Sequence, residues 1–468
     1  MTGVKVRAIG LLSAVLICSV ATPATADANG ASKRLDKIRG SNAKVVQFLQ
    51  DMPKGADLHT HLTGAVYAEA MVNWGAADGI CVNTTTFASA KPPCKTGSVP
   101  LSTATTNTSL YNQILAAWSM RKFTPGVQSG HDHFFATFGL FSATFGGTRT
   151  GDAVSEITKR ASDQAEQHVE PMTGPASSAN NAVAEEVPYN SDFATMRQQM
   201  IAAGLFDAIP SAIQYADSML ERRAQLQKCG TPQADDACDV NVDFLATISR
   251  DSPPNEVFAQ MAFVFELTKI DPTWAGINIV GQEDGLYALR DYKLHMQMLQ
   301  YLHSLYPKAK LALHAGELWP GMAPPADLRF HVRSAVNVAG ANRIGHGVDL
   351  RWERHPNGLM KTMRKRGVCL EANLTSNRQI LDVKGKRHPI RDYWKNGVRV
   401  VLSTDDEGVE RTDLTHQYAQ AIDDHGFSYA DIKQMAKNAI TCSFMPAAEK
   451  KKAHKKQNKM FAQFESKY

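Results

Sequence analysis

The 468-residue sequence has almost no excess of charge of either sign. Lysine and arginine total 51, and aspartate and glutamate total 46. Lys5 and Arg7 lie in residues 1–26, which have the pattern of a cleavable leader. Without that leader, 49 basic side chains face 46 acidic ones, a formal charge of +3. This near balance predicts that nucleic acid is not a partner.

Long apolar runs are also scarce. The run that follows Lys5 and Arg7 is shorter than the roughly 20 residues of a membrane span, and Ala24-Thr25-Ala26 follows it with the small residues of a cleavage site. These features indicate a secretory signal peptide over residues 1–26. No later run is apolar enough to span a bilayer. We therefore expect an exported protein, periplasmic or secreted, without a stable membrane anchor.

Cysteine is sparse, and six residues remain after the leader: Cys81, Cys94, Cys229, Cys238, Cys369 and Cys442. Exported proteins meet oxidising conditions, and the close pairs Cys81/Cys94 and Cys229/Cys238 both lie in turn-rich sequence. We predict one short disulfide loop from each pair. Cys369, inside the apolar "GVCLEAN", and Cys442 are expected to be buried thiols.

Short β-rich runs alternate with longer amphipathic segments along the chain. The eight runs are residues 55–62, 167–172, 240–249, 274–281, 310–316, 342–348, 367–375 and 397–406. Segments between them, such as "YKLHMQMLQYLHSLYP", have apolar residues at helical spacing. The repeat predicts an α/β fold, a (β/α)8 TIM-type barrel. A doubly wound sheet is the alternative, but the first run lacks the glycine-rich phosphate loop typical of that fold.

About a hundred residues separate the first two runs, far more than a usual connection. We predict an insertion over about 75–160 that covers the mouth of the barrel, where active sites form. For its Ser-, Thr- and Pro-rich part, residues 83–108, a disordered linker is the alternative interpretation. His131 and His133 in "HDHFF" either reach the pocket or serve packing and surface roles.

The remaining boundaries follow from composition. Residues 27–52 form an N-terminal segment, and residues 53–445 form the barrel domain. Residues 446–468, "PAAEKKKAHKKQNKMFAQFESKY", are strongly basic and are interpreted as a C-terminal helix or tail with a solvated face.

Polar residues recur at the ends of the β-rich runs: His59, His61, His314, His346, Asp405 and Asp406. The carboxyl ends of the strands in an α/β barrel all face one mouth, so these side chains should converge. Each histidine alone has a structural interpretation, whereas three of them with an adjacent aspartate pair indicate a site.

Imidazole and carboxylate together suit zinc, and three or four protein ligands leave a position open for chemistry. His59, His61, His314 and Asp405 form the expected ligand set. The fourth run, "AGINIVGQED", has no lysine that could bridge a second ion, which favours one metal. Glu317 is either a general acid of raised pKa or a helix N-terminal acid. His346 lies between glycines that would let substrate or metal approach closely, and it could act as a base.

The motifs "LHTHLTG", "LHAGE", "RIGHGV" and "LSTDDE", in this order, closely resemble those of the adenosine deaminase family within the amidohydrolase barrels. The signal sequence and the cysteine-bearing insertion resemble those of its secreted, growth-factor-related branch. The resemblance covers about residues 52–455.

This resemblance implies hydrolysis of adenosine to inosine and ammonia, and the same deamination of deoxyadenosine. His59, His61, His314 and Asp405 would hold one Zn²⁺. Glu317 would protonate the purine at N1, and His346 would activate the attacking water. Asp406 would hydrogen-bond N7, and the backbone N–H of Gly281 would meet N3.

Two positions differ from the common family pattern. Thr63 stands where many relatives have aspartate near the sugar, and Glu407 stands where relatives commonly have proline, which we expect to add charge at the mouth. Arg250, Arg343 and Arg378 lie near strand ends but form no convincing phosphate cradle. The alternatives are the same chemistry on another adenine derivative, or a secreted nucleoside-binding or signalling protein without turnover. The oligomeric state stays open, a homodimer included.

Overall fold

The computed structural model of the protein describes residues 28–124 and 127–468, so the expected signal peptide lies outside the described residues. Eight parallel strands form the centre of the fold: β1 Gly55–His61, β2 Glu166–Thr173, β3 Phe244–Ser249, β4 Trp274–Val280, β5 Ala312–Ala315, β6 Arg343–His346, β7 Cys369–Ala372 and β8 Arg399–Leu402. All eight coincide with the β-rich runs of the sequence.

Two four-strand ladders make up this centre, and two bridges close them into a ring. Strands β1 to β4 pair in sequence order, as do β5 to β8, while the short strand Asn241–Val242 extends β2. A parallel bridge from Ile277 to Leu311 joins β4 to β5. A second parallel bridge, from Thr60 to Asp405, joins β1 to the end of β8. The predicted (β/α)8 barrel is confirmed.

Successive side chains along a strand point alternately towards the outer helices and into the barrel interior. Leu370 pairs in register with Ile344 on one side and Val400 on the other, and all three are fully buried. The neighbouring Glu371 points the opposite way, into the barrel, where it contacts His59. Leu370, Ile344 and Val400 therefore face the outer helices, whereas Glu371 points into the interior.

The surrounding helices are Ala28–Ile38, Asn42–Gln50, Ala68–Ala77, Thr108–Ala117, Gly130–Phe141, Arg149–Asp163, Ser177–Glu186, Phe193–Ala202, Ile209–Leu226, Pro254–Ile270, Leu286–Arg290, Tyr292–Leu305, His331–Ser334, Pro356–Arg366, Leu374–Leu381, Ile390–Lys395, Glu407–Glu410, Leu414–His425, Tyr429–Cys442 and Ala447–Glu465. None of them, within the described part of the chain, combines the length and apolarity of a membrane span. The basic C-terminal helix docks by one face, because the ring of Phe464 packs 5.1 Å from that of Phe48.

Residues 83–108, which lie between β1 and β2, are ordered. The alternative interpretation of this region as a disordered linker is therefore wrong. Strands Ser89–Ala90, Cys81–Asn83 and Ser98–Pro100 form a small antiparallel sheet. The helix Gly130–Phe141 lies further along the same segment.

Three disulfides connect the six cysteines that follow the leader. Cys81–Cys94 and Cys229–Cys238 confirm the two predicted pairs. The expectation that Cys369 and Cys442 are free thiols is wrong, because these two residues are bonded to each other. The first residue of β7 meets the last residue of the helix Tyr429–Cys442, and a contact across 73 positions cannot be seen in local sequence.

Candidate active site

Three histidines and one aspartate converge at the carboxyl ends of the strands. The potential ligand atoms of His59, His61, His314 and Asp405 all lie within 4.8 Å of one another. Oδ1 of Asp405 lies 3.3 Å from Nε2 of His59 and 3.2 Å from Nε2 of His61. The two Nε2 atoms of His61 and His314 are 3.3 Å apart. The structure thus brings together all four residues of the expected ligand set.

The ends of the strands position these side chains. His59 and His61 are two apart on β1 and therefore point to the same side. Asp405 follows β8 with φ of 63°, and His346 ends β6 with φ of 68°. Left-handed backbone costs a residue with a side chain about 1–3 kcal/mol, and such conformations concentrate at active sites. The bridge between Thr60 and Asp405 holds one of these two turns in place.

Hydrogen bonds from the far side of each ring orient two of the imidazoles. Nδ1 of His59 donates to Glu371 at 2.7 Å, and Nδ1 of His314 donates to Asn278 at 2.8 Å. Both rings consequently turn Nε2 towards Asp405. Nε2 of His59 is buried and has no hydrogen-bond partner. Histidine ligands of metals typically have this arrangement, with the second nitrogen bonded to a carboxylate or carbonyl.

The electrostatics of the cluster favour a cation. Burial alone would lower the pKa of His59, but the carboxylates of Asp405 and Glu371 outweigh burial and raise it to about 10. The same negative potential at Nε2 would stabilise a metal ion. Burial lowers the pKa of His314 well below its ordinary value, so that ring stays neutral and its nitrogen can act as a ligand. An ion with nitrogen and oxygen preferences fits the four side chains.

A buried ion network lies beneath the cluster. Glu371, which holds His59, also pairs with Arg343. Arg343 contacts Glu170 at 2.6 Å, and Glu170 contacts His168 at 3.0 Å. Each of these four buried side chains therefore has an ionic partner, as burial requires.

Glu317 and His346 lie beside the cluster. Oε1 of Glu317 is 3.7 Å from Nδ1 of His346, and Nε2 of His346 is 3.7 Å from Oδ2 of Asp405. Burial raises the pKa of Glu317 well above its ordinary value. Burial also lowers the pKa of His346, to about 3. At neutral pH, the carboxyl group of Glu317 is therefore protonated, and the imidazole of His346 is uncharged.

Glu283 holds the loop that carries Glu317. Its carboxylate accepts hydrogen bonds from the backbone N–H groups of Gly316 and Glu317, at 3.0 and 2.7 Å. No helix begins at Glu317, so the helix N-terminal interpretation of this acid is wrong. The loop is positioned by a buried side chain from the preceding βα connection.

Glycines next to the site make room for other protein groups. A Cβ at Gly345 would lie 2.5 Å from Cε1 of His59, and one at Gly347 would lie 2.6 Å from the hydroxyl of Tyr393. The expectation that the glycines around His346 admit substrate or metal is therefore corrected: they admit the ring of His59 and the side chain of Tyr393. Gly64 likewise leaves room for the carboxyl group of Asp406.

A cavity of about 480 Å³ opens above the cluster. His61, His314, Glu317, Asp405 and Asp406 line its floor, and Thr63 and Gly281 line its sides. Phe134, Phe135 and Phe138 of the helix Gly130–Phe141 cover it. The segment between β1 and β2 thus reaches the pocket with aromatic side chains.

The two histidines of "HDHFF" do not line this cavity. Nε2 of His131 lies 3.0 Å from Asp284, which ties the covering helix to the loop after β4. His133 instead contacts the backbone carbonyl of Ser119.

Glu407 does not add charge at the mouth, contrary to expectation. Its side chain is buried, lies 2.9 Å from Arg160 and accepts a hydrogen bond from Gln164. The helix Glu407–Glu410 turns the carboxylate away from the opening and towards the helix Arg149–Asp163.

Sequence reasoning missed the residues that support the site: Asn278, Glu283, Glu371, Asn373 and Asn377. Asn377 contacts Nδ1 of His346 at 2.9 Å, and Asn373 lies 3.5 Å from its Nε2. A detectable signal existed, since each of these polar residues stands in an apolar β-rich run or within two residues of its end. Such a residue must find a buried partner.

A closed (β/α)8 barrel whose strand ends supply three histidines and an aspartate defines a member of the amidohydrolase superfamily. Comparison with known proteins narrows this class. The family model described as "Adenosine deaminase" matches residues 154–459. The chain belongs to the adenosine deaminase family.

Curated relatives match over part of their length. Adenosine deaminase of Pseudoalteromonas translucida is 29% identical over 197 residues, which cover 42% of this chain and 52% of that enzyme. Adenosine deaminase of Escherichia coli O1:K1 is 33% identical over 147 residues, 31% of this chain and 41% of that enzyme. The chain thus spans about half, or less, of these relatives.

Solved structures are similar over nearly the whole fold. The N6-mAMP deaminase of Arabidopsis has 16% identity and a TM-score of 0.58, covering 88% of this chain and 99% of that one. An amidohydrolase of Burkholderia ambifaria with bound zinc has 16% identity and a TM-score of 0.59, covering 90% and 93%. The adenine deaminase of Arthrobacter aurescens has 16% identity and a TM-score of 0.57, covering 87% and 98%. At this level of identity, the likeness shows the fold.

Proposed function

We propose that the protein is a zinc-dependent hydrolase that deaminates adenosine to inosine and ammonia, and deoxyadenosine to deoxyinosine and ammonia. The observation that carries the proposal is the convergence of Glu317, His346 and Asp405 beside a cavity that Glu317 and Asp405 line. Family membership supports deamination of an adenine derivative. The residues that line the cavity support adenosine as the substrate among such derivatives.

His59, His61, His314 and Asp405 would hold one Zn²⁺. When bound, zinc acts as a Lewis acid that lowers the pKa of water towards neutrality and makes a nucleophile available. The protein's own groups supply the proton transfers. Because burial keeps His346 neutral, its ring can accept a proton from the attacking water.

Glu317 is the proposed general acid. Its raised pKa keeps the carboxyl protonated at neutral pH, so it can donate to N1 of the purine and make C6 electrophilic. The hydrogen bonds from the backbone of Gly316 and Glu317 to Glu283 fix the position of the acid. Attack at C6 then gives a tetrahedral carbon that loses ammonia.

Asp406 and Gly281 are the proposed contacts to the rest of the purine ring. Burial raises the pKa of Asp406 well above its ordinary value, which favours a protonated carboxyl that can donate to N7. Gly281, with φ of 98°, lines the cavity and would offer its backbone N–H to N3.

An uncharged nucleoside suits the cavity better than a nucleotide. Four carboxyl groups line it, those of Asp251, Glu317, Asp405 and Asp406. Among the described residues that line it, none is lysine or arginine. A phosphate group would therefore find no cationic side chain to pair with in the cavity.

Steady-state kinetics on adenosine, deoxyadenosine, adenine and AMP test this proposal, with the loss of ultraviolet absorbance as the signal. We expect adenosine to be turned over and AMP to have a kcat/KM at least about 100-fold lower. Glu317→Gln should lower kcat for adenosine by about 10²- to 10⁴-fold. Glu353→Gln, which changes a buried carboxyl outside the cavity, is the matched control. A zinc-loaded protein inert towards all four purines would overturn the proposal.

We also propose that the protein is exported and belongs to the secreted, growth-factor-related branch of the family. Three disulfides among the described residues support an oxidising compartment. Mass spectrometry of the protein from its native host should find a mature chain that begins at Asp27. A cytoplasmic protein that retains Met1 would contradict this assignment.

A further inference from the structure

A second cavity lies at the opposite end of the barrel from the active site. Its volume is about 470 Å³, and it opens where strands β5 to β8 begin. The chain that follows the helix Tyr429–Cys442 forms its other wall, including Phe444 and Met445. The mechanism proposed above uses none of these residues.

Cations from five positions line this basal cavity: Lys310, Arg343, Arg366, Arg399 and Lys450. Lys310 precedes β5, Arg343 begins β6, Arg366 precedes β7 and Arg399 begins β8. Four consecutive strands therefore each bring one cation to the same opening, and Lys450 of the helix Ala447–Glu465 adds the fifth. None of the lining residues is aspartate or glutamate.

Four of these cations have no ion-pair partner among the described residues. Across residues 28–124 and 127–468, no ion pair within 4.0 Å involves Lys310, Arg366, Arg399 or Lys450. Arg366 donates instead to the backbone carbonyl of Val336, and Lys450 donates to that of Thr441 at 2.9 Å.

Arg343 differs from the other four cations. It is fully buried at the inner wall of the cavity, and Glu170 and Glu371 balance its charge. Glu170 is thus already paired with Arg343, although it also attracts Lys450.

The positive charges of Arg343, Lys310 and Arg399 act on Lys450. Burial lowers the pKa of Lys450, and Arg343, Lys310 and Arg399 lower it further, against the opposing effect of Glu170. A concave surface lined by one sign of charge focuses its field and concentrates counter-ions. Guanidinium groups in particular match the geometry of phosphate and sulfate oxygens.

We propose that the basal cavity is a binding site for a small multivalent oxyanion, a phosphate or sulfate group. Lys310, Arg366, Arg399 and Lys450 would bind its oxygens. The volume admits either the free ion or the phosphate of a small organic molecule. Because the cavity and the active site are at opposite ends of the barrel, binding can be measured without turnover.

Isothermal titration of the mature, disulfide-bonded protein with sodium phosphate tests the site, at an ionic strength held constant with KCl. We expect saturable binding of one phosphate per chain. Arg399→Gln/Lys450→Gln should weaken it by about tenfold or more. Lys451→Gln/Lys452→Gln removes the same charge from neighbouring exposed positions of the same helix and should leave it unchanged.

Equal weakening in both double variants, or binding that never saturates, would overturn the proposal, since either result means non-specific attraction. Parallel titrations with sulfate and ribose 5-phosphate compare the free ion with a phosphorylated molecule, and either order of affinity supports the site and identifies its source. Wild-type protein gives an independent readout: phosphate should protect Lys310 and Lys450, but not Lys451, from acetylation. Equal acetylation of all three would contradict the assignment.

Discussion

The carboxyl group of Asp406 lies directly over Gly64, so close that a Cβ at position 64 would overlap its oxygen. Gly64 comes from the turn after β1, and Asp406 comes from the turn after β8. The two turns therefore interlock at the floor of the cavity. Any side chain at position 64 must displace the proposed N7 contact.

Gly64→Ala should therefore lower kcat/KM for adenosine by about 10- to 100-fold, because the displaced hydrogen bond to a charged or buried group is worth roughly 1.5–3 kcal/mol. Gly40→Ala, at an exposed position with open space around it, is the control. Measuring the zinc content of the variant alongside its kinetics would show whether activity falls because the contact to the purine is lost or because zinc is lost. Unchanged kinetics in Gly64→Ala would remove Asp406 from the site.

The pH dependence of kcat/KM should reflect the raised pKa of Glu317. Burial shifts this pKa upward from an ordinary value of 4.5. A general acid works only while protonated, so activity should persist at neutral pH and fall on the alkaline side, as pH passes the raised pKa. Stopped-flow measurement over a wide pH range checks this. A decline that begins near pH 4.5 would show that the carboxyl is not shifted.

Loss of the Glu371 carboxylate should weaken zinc binding. Glu371→Gln keeps the shape but removes the charge that orients Nδ1 of His59, and partners of metal-bound histidines typically contribute 10- to 100-fold in affinity. Competition with a chelator measures the change, with circular dichroism as the check on folding. Glu266→Gln, which alters a carboxylate paired with Lys269 at the surface, should bind zinc like wild type. Wild-type affinity in Glu371→Gln would contradict the orienting role.

The aromatic cover should contribute to nucleoside affinity. Phe135→Ala removes one ring from the wall of the cavity, and stacking of a base on an aromatic ring is worth about 1–3 kcal/mol. We expect KM to rise by about 5- to 100-fold, while kcat changes little because the ring takes no part in the proton transfers. Phe145→Ala, in the same segment but packed against Trp74, is the control. Equal effects of both variants would indicate general loosening of the segment.

The disulfide between Cys369 and Cys442 should stabilise the fold more than the one between Cys229 and Cys238. They close loops of 73 and 9 residues, and a loop-entropy estimate gives about 4 against about 3 kcal/mol. Urea unfolding of Cys369→Ala/Cys442→Ala and Cys229→Ala/Cys238→Ala measures both losses. The reverse ranking would mean that local packing outweighs the loop entropy.

Much of the site was visible in the sequence because its chemistry repeats at strand ends. "LHTHLTG" and "LSTDDE" carry ligands at the ends of the first and last β-rich runs, and closure of the barrel brings them together. The number of strands and the order of the motifs were sufficient to predict that these ligands meet. The roles of the gathered residues remain to be tested by the experiments above.

What could not be predicted depends on contacts between elements. Glu371 in "GVCLEAN" is evidently a charge in a buried strand, but only the folded barrel shows that it serves both His59 and Arg343. Glu407 was expected at the mouth because it follows two site aspartates. It turns inward because the helix Arg149–Asp163 brings Arg160 beside it, and the position of that helix is a tertiary property.

The bridge between Thr60 and Asp405 has a consequence for biosynthesis. The chain holds its first two imidazoles by residue 61, yet the carboxylate that completes the quartet is added more than three hundred residues later. A growing polypeptide therefore cannot assemble the centre until its final strand docks beside its first. A metal ion held by these four residues would therefore bind late in maturation, and a product truncated before Asp405 would lack the full ligand set.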